Sequence, residues 1–104
     1  MGSVKGSGGG NGPPGTPEQV VEIEYPTDYA FKIIGRAADD FSAWAQGEVA
    51  AALQIDIEAA AVTENPSRKG TYVSVEVTVR LTSEEQRRAV YARLHGHPRI
   101  VLYL

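Results

Sequence analysis

Ser67-Arg68-Lys69-Gly70 puts two cations, a hydroxyl and a flexible backbone into one short turn, with Tyr72 just beyond it. Those groups could contact an anion or a partner. The spacing is not that of a phosphate-binding loop, which needs a longer glycine pattern and a following helix. A solvated hairpin turn is the plainer account of the same residues. His95 and His97 form a His-x-His pair, but no carboxylate lies close in sequence to complete a metal site. His95 instead suits the negative end of a helix. There is no cysteine, so disulfides, thiolate metal sites and thiol nucleophiles are excluded. No serine stands near a histidine in a strained turn, and Asp39, Asp40, Glu84 and Glu85 read as charges at helix starts. We expect no catalytic residues, no metal and no cofactor.

The elements that must position these groups are organised by one stretch. In Thr71–Leu81, Val73, Val75, Val77, Val79 and Leu81 fall on one face, and Tyr72, Ser74, Glu76, Thr78 and Arg80 on the other. Period-two alternation of β-branched residues marks a half-buried strand. Asp28–Gly35 is a second strand, with Tyr29, Phe31 and Ile33 inward and Lys32 and Ile34 outward. Gly35 reads as the end of that strand. Asp39 and Asp40 open a helix in which Phe41, Trp44, Ala45, Val49, Ala52 and Leu53 recur at helical spacing. Trp44 fits either a core seam or an interface anchor.

Ile55–Thr63 is expected as a strand because Ile55 and Ile57 alternate with acids, although a continued helix is an alternative. Its small and acidic side chains suit an edge. Glu64–Gly70 reads as the turn into the long strand. Thr82 and Ser83, with Glu85 and Gln86 three residues on, make two overlapping capping boxes for a second helix. Gly96 and Pro98 end it, and Arg99–Leu104 is a last strand.

Strand, helix, strand, strand, helix, strand is an α+β pattern whose two helices can cover one face of a four-stranded antiparallel sheet. Right-handed crossovers give the ferredoxin-like βαββαβ arrangement, sheet order 4-1-3-2. The open face would carry Lys32, Tyr72, Ser74, Glu76, Thr78 and Arg80. Tyr72 there is the kind of residue that stacks on RNA bases, but Ile34 stands where a second aromatic belongs and Glu76 is negative.

Residues 1–17 hold seven of the eleven glycines and three of the six prolines. We expect a flexible head over residues 1–19, without the apolar stretch of a secretory signal, and one domain over 20–104. No apolar run reaches the length of a membrane span, so a cytoplasmic protein is the default. Net charge is −3, of which the part from Tyr25 onward, nine cations against ten acids, carries about −1. Such a domain lacks the broad positive field of non-specific nucleic-acid binders, and nucleic acid is not an expected partner.

Tyr25–Gly35, Ser67–Val75 and Leu94–Ile100 with its apolar tail resemble, in the same order, the corresponding segments of the YbeD-like (UPF0250) family of small bacterial proteins. The resemblance covers about Glu22 to Leu104. It implies the ferredoxin-like fold and a likeness to ACT-type regulatory domains, which sense amino acids. By position alone, such a ligand would sit at the turn Gly35-Arg36-Ala37-Ala38-Asp39, so Gly35, Arg36 and Asp39 are the implied binding residues. Three functions follow in order: a non-enzymatic domain acting through protein association, as a homodimer or adaptor; an ACT-like sensor of a small metabolite; and, last, RNA binding.

Overall fold

A computed structural model describes residues 22–104. The head expected over residues 1–19 lies outside them. The elements are β1 (Thr27–Arg36), α1 (Phe41–Leu53), a short 3-10 turn (Ala59–Ala61), β2 (Val62–Pro66), β3 (Tyr72–Leu81), α2 (Glu84–Leu94) and β4 (Ile100–Tyr103). All four strands form one antiparallel sheet in the order β2-β3-β1-β4, and both helices lie on one face of it. This is the ferredoxin-like arrangement, with β1 and β3 central.

The alternation in β3 does what its pattern requires. Val73, Val75, Val77, Val79 and Leu81 are buried, against Phe31 and Ile33 from β1. α1 contributes Phe41, Ala45 and Val49, and α2 contributes Val90 and Leu94. Fully burying one such side chain contributes roughly 1.5–3 kcal/mol, so this one core accounts for the register of the sheet. Slipping β3 by a single residue would turn five apolar side chains to water.

Both helix starts are where the sequence places them, but for different reasons. Ser83 caps α2: its Oγ accepts a hydrogen bond from the Gln86 amide at 3.2 Å, while Gln86 Oε1 accepts one from the Thr82 amide at 2.7 Å. Asp39 and Asp40 do not cap α1 with their side chains, and no acid lies in its first turn. Instead both residues take left-handed backbone angles, φ 52° and 54°. Aspartate tolerates that region better than most residues. They reverse the chain into the helix, with Asp40 at the N-cap position of α1.

The expected strand Ile55–Thr63 is corrected. α1 closes on a left-handed Gln54, and the following segment is irregular before the 3-10 turn. The strand begins only at Val62 and runs to Pro66, through residues that read as turn. Gln46 Nε2 donates to the Ile57 carbonyl at 2.8 Å, and Ile57 packs against the core. That side-chain bond replaces the ladder the segment would otherwise need. The turn proper is confined to 67–71.

Candidate functional site

The β1–β3 ladder has two ends, and they are built differently. At the N-terminal end of β1, the side chains of Tyr25, Tyr29, Glu84, Arg87 and Tyr91 are tied into one network. Tyr25 donates its hydroxyl proton to Glu84 Oε1 at 2.6 Å, and Arg87 Nη1 pairs with Glu84 Oε2 at 2.8 Å. Arg87 Nε donates to the Tyr29 hydroxyl at 3.2 Å, which in turn shares a hydrogen bond with the Tyr91 hydroxyl at 2.9 Å. The Tyr25 hydrogen bond, followed by the Arg87 charge, holds the Glu84 carboxyl below its ordinary range. Burial, then the bond to Tyr29, pushes the Tyr91 phenol up. This network clips α2 to β1. None of it was visible as a unit in the sequence, because Tyr25, Tyr29, Glu84, Arg87 and Tyr91 come from three separate segments.

The other end gathers the residues singled out above. Arg36 lies directly opposite Tyr72 in the ladder, with its guanidinium carbon 5.6 Å from the Tyr72 ring centre. The Ala37 amide donates to the Thr71 carbonyl at 2.9 Å, so the ladder runs on into the turn. The two candidate groups, Gly35–Arg36–Asp39 and Arg68–Lys69–Gly70–Tyr72, therefore meet at one end of the sheet through Arg36 and Tyr72. Within the hairpin turn the Ser67 hydroxyl accepts from the Tyr72 amide at 3.0 Å, and the Gly70 amide donates to the Ser67 carbonyl at 2.9 Å. Gly70 needs its positive φ of 76° to make this turn. The turn's own hydroxyl and glycine amide are thus engaged internally. What Arg68 and Lys69 offer outward is charge rather than a cradle of amides.

Gly35 does not end the strand, which runs on to Arg36. It is buried inside β1, and a Cβ there would stand about 2.3 Å from the Phe41 ring and 2.6 Å from the Arg99 carbonyl oxygen. The absent side chain makes room for Phe41, so the position implied for a ligand is filled by the protein itself. Beside it a cleft of about 270 Å³ lies between Arg36, Ala38, Asp39, Pro98, Arg99 and Val101.

Arg99 was missed as a site residue. Its Nη2 donates to the carbonyls of Ala38 and Asp39 at 2.8 and 3.0 Å, and its guanidinium lies 5.0 Å from the Trp44 ring and 5.5 Å from that of Phe41. It clamps the left-handed turn to β4. Trp44 is half-buried in the same stack, with the His97 ring 4.4 Å away. His97 Nδ1 accepts from the Arg99 amide at 3.2 Å, and His95 Nδ1 bonds the Tyr103 hydroxyl at 3.0 Å. Both histidines thus have structural partners, and among the described residues no cluster of three or more His, Asp or Glu is placed to hold a metal.

β4 is the second feature that sequence reasoning passed over as a site. It lies at the sheet's edge, opposite Ile33 and Ile34, with a register shift at Gly35. Lys32 and Leu104 exchange both backbone hydrogen bonds, at 3.1 and 2.8 Å. By antiparallel alternation from that pair, the amide and carbonyl of Tyr103 then point away from the sheet, and Val101 is the extra residue at the register shift. Val101, Leu102 and Leu104 are 62 %, 49 % and 58 % exposed. The signal was present in the sequence. Ile100–Leu104 is apolar at every position, whereas a strand with one wet face alternates. Among the described residues no helix is long and apolar enough to cross a membrane.

Comparison with known proteins agrees with this architecture. The family model described as protein of unknown function (DUF493) matches residues 21–104. A UPF0250 protein of Bordetella pertussis is 39 % identical over 84 residues, spanning 79 % of this chain and 89 % of the relative. A UPF0250 protein of Ralstonia nicotianae is 38 % identical over 96 residues, spanning 90 % and 96 %. The solution structure of HP0495 from H. pylori superposes with a TM-score of 0.62 at 18 % identity, covering 90 % of this chain and 98 % of that one, which is likeness of fold. With its ordered elements matched from end to end, the chain belongs to the UPF0250 (DUF493) family.

Proposed function

We infer that this protein is a non-enzymatic association module whose working surface is the β4 edge, joined either by a second copy or by another protein. The observation that carries the reading is an unguarded edge strand. Val101, Leu102 and Leu104 stand in solvent beside unpaired backbone groups. Such an edge is a template for another chain, and natural proteins ordinarily blunt it with charge, proline or cover. Strand addition at an exposed edge is a common mode of recognition.

The test is site-specific photo-crosslinking in bacterial cells, with benzoylphenylalanine in place of Val101 and, in a second strain, of Thr78 on the open sheet face. The reading predicts an adduct from position 101 and none from Thr78. No adduct from position 101 in any growth condition overturns it.

A second reading, a sensor of a small anionic metabolite, has the cleft between Arg36, Asp39 and Arg99 in its favour. It predicts that a screen of amino acids raises the melting temperature, and that Arg36→Ala removes the shift. A compound at a hundred times its dissociation constant adds about 2.7 kcal/mol, so a flat screen at millimolar concentration rules out ligands of micromolar affinity.

A further inference from the structure

Nine lysines and arginines fall among the described residues. Arg80, Arg87, Arg88 and Arg93 form ion pairs with Asp28, Glu84 and Glu48. Lys32, Arg36, Arg68, Lys69 and Arg99 pair with no carboxylate among the described residues. Four of those five stand at one end of the sheet, where β1 stops, the β2–β3 turn lies and β4 starts. The domain is nearly neutral as a whole, yet its uncompensated positive charge is concentrated beside the start of the open edge. β4 itself, Ile100-Val101-Leu102-Tyr103, carries no acid.

Hollows flank the same strand. On the helix side a cleft of about 470 Å³ runs along β4 between Leu94, His97 and Tyr103. The cleft beside Arg36 and Arg99 opens at Val101. On the open face Leu102 and Leu104 form an apolar strip, opposite Ile34 and Lys32. A strand added here would find apolar contacts for alternate side chains, a backbone partner at Tyr103, and cations at one end. Main-chain bonds supply affinity in such a complex, and side-chain sites supply the choice of partner.

We propose that β4 takes an extended acidic segment of a partner protein as a fifth strand, its apolar side chains on Leu102 and Leu104 and its carboxylates toward Arg36 and Arg99. This rests on the β4 association reading and adds the partner's chemistry. A second copy satisfies the edge less well, because it lays one apolar strand against another and its β4 brings no acidic side chain to those arginines. Charge complementarity both selects the partner and steers its approach.

The experiment uses the full chain and three labelled six-residue probes: alternating valine and glutamate, valine and lysine, and valine and threonine. A short uridine RNA is the fourth probe. Binding is read by fluorescence anisotropy, and the site by amide exchange. The proposal predicts that the glutamate peptide binds best, that the Tyr103 amide becomes protected, and that added salt weakens the complex. Arg36→Ala should weaken it by about tenfold or more, the scale of one charge-assisted contact. N-methylation of alternate peptide nitrogens should abolish it.

Equal protection by all three peptides overturns the acidic preference while leaving β4 as an association edge. Protection of the Tyr103 amide in the free protein, together with a dimer in sedimentation, assigns the edge to a second copy and overturns the proposal. Tighter binding of the RNA overturns it in favour of a nucleic acid. No protection by any peptide, with no crosslink from position 101, overturns both this proposal and the reading it rests on.

Discussion

The two edge strands of one sheet could hardly be less alike. β2 reads Val62-Thr63-Glu64-Asn65-Pro66, exposed from Thr63 onward, with an acid, an amide and a proline facing water. β4 reads Ile-Val-Leu-Tyr, with its middle residues in solvent. Both edges expose unpaired backbone, so both carry the same hazard of joining another chain. Charge and proline suppress it at β2. Nothing comparable suppresses it at β4. A guarded edge beside an unguarded one indicates that the fold itself does not require the exposure. The exposed apolar strip at β4 is better explained by use than by tolerance.

The largest effect expected from breaking this comparison is on the anchor beneath β4. The Tyr91 ring meets Phe31 at 5.2 Å and Tyr103 at 5.7 Å, so it holds β4 as well as α2. Tyr91→Ala should cost about 3 kcal/mol, as large-to-small core changes do. Urea unfolding measures it, and a loss under about 1 kcal/mol would show that β4 is held by its ladder alone.

Next comes Gly35→Ala, at the register shift between β1 and β4. The added methyl must displace the Phe41 ring and a backbone carbonyl, at a cost of roughly 1–3 kcal/mol. Unchanged stability would mean that Phe41 can move aside, and that the position is open to a ligand after all.

Exchanging the guards is gentler on the fold. Val101→Lys should change stability by no more than about 0.5 kcal/mol, since the side chain is exposed, yet abolish association at β4. Conversely, Glu64→Val with Pro66→Val should make β2 associate, visible as concentration-dependent sedimentation.

The smallest effect is a pH dependence. The Glu84 carboxyl is held below its ordinary 4.5 by Tyr25 and Arg87. A depressed folded value contributes stability that is present above pH 4.5 and lost as pH falls through the folded value. Tyr25→Phe should therefore lower the unfolding midpoint slightly at neutral pH and leave it nearly unchanged at acid pH, which flattens the acid limb below pH 4.5. An acid limb identical to that of the parent would remove Tyr25 as the cause. The raised Tyr91 phenol acts in the other direction: its contribution is intact below pH 10.0 and declines as pH rises beyond it.

How much of this was legible in the sequence depends on how local each signal is. The alternation of β3 and the capping residues of α2 are set by neighbours a few positions away, and the structure follows them. β2 was misplaced because its ladder partners, Val73 to Val77, decide where it starts, while Asn65-Pro66 carries a local turn signal. Proline can close an edge strand, where no second neighbour asks for its amide. The implied ligand residues were adjacent in sequence, but Gly35 serves packing, by making room for Phe41 at the start of α1. Arg99 and Val101 gain meaning only once β4 lies beside β1. The unbroken apolar run Ile100–Leu104 was the one local clue to the edge, and it needed the sheet order to interpret it.

The most direct test of the central claim is nuclear magnetic resonance of the isotope-labelled protein inside bacterial cells, compared with the purified protein. If β4 is the working edge, the Val101 and Tyr103 amide signals shift or vanish in the cell, while those of Thr63 and Asn65 in β2 stay in place. If all four signals coincide with those of the free protein, β4 is an idle edge and the account is wrong.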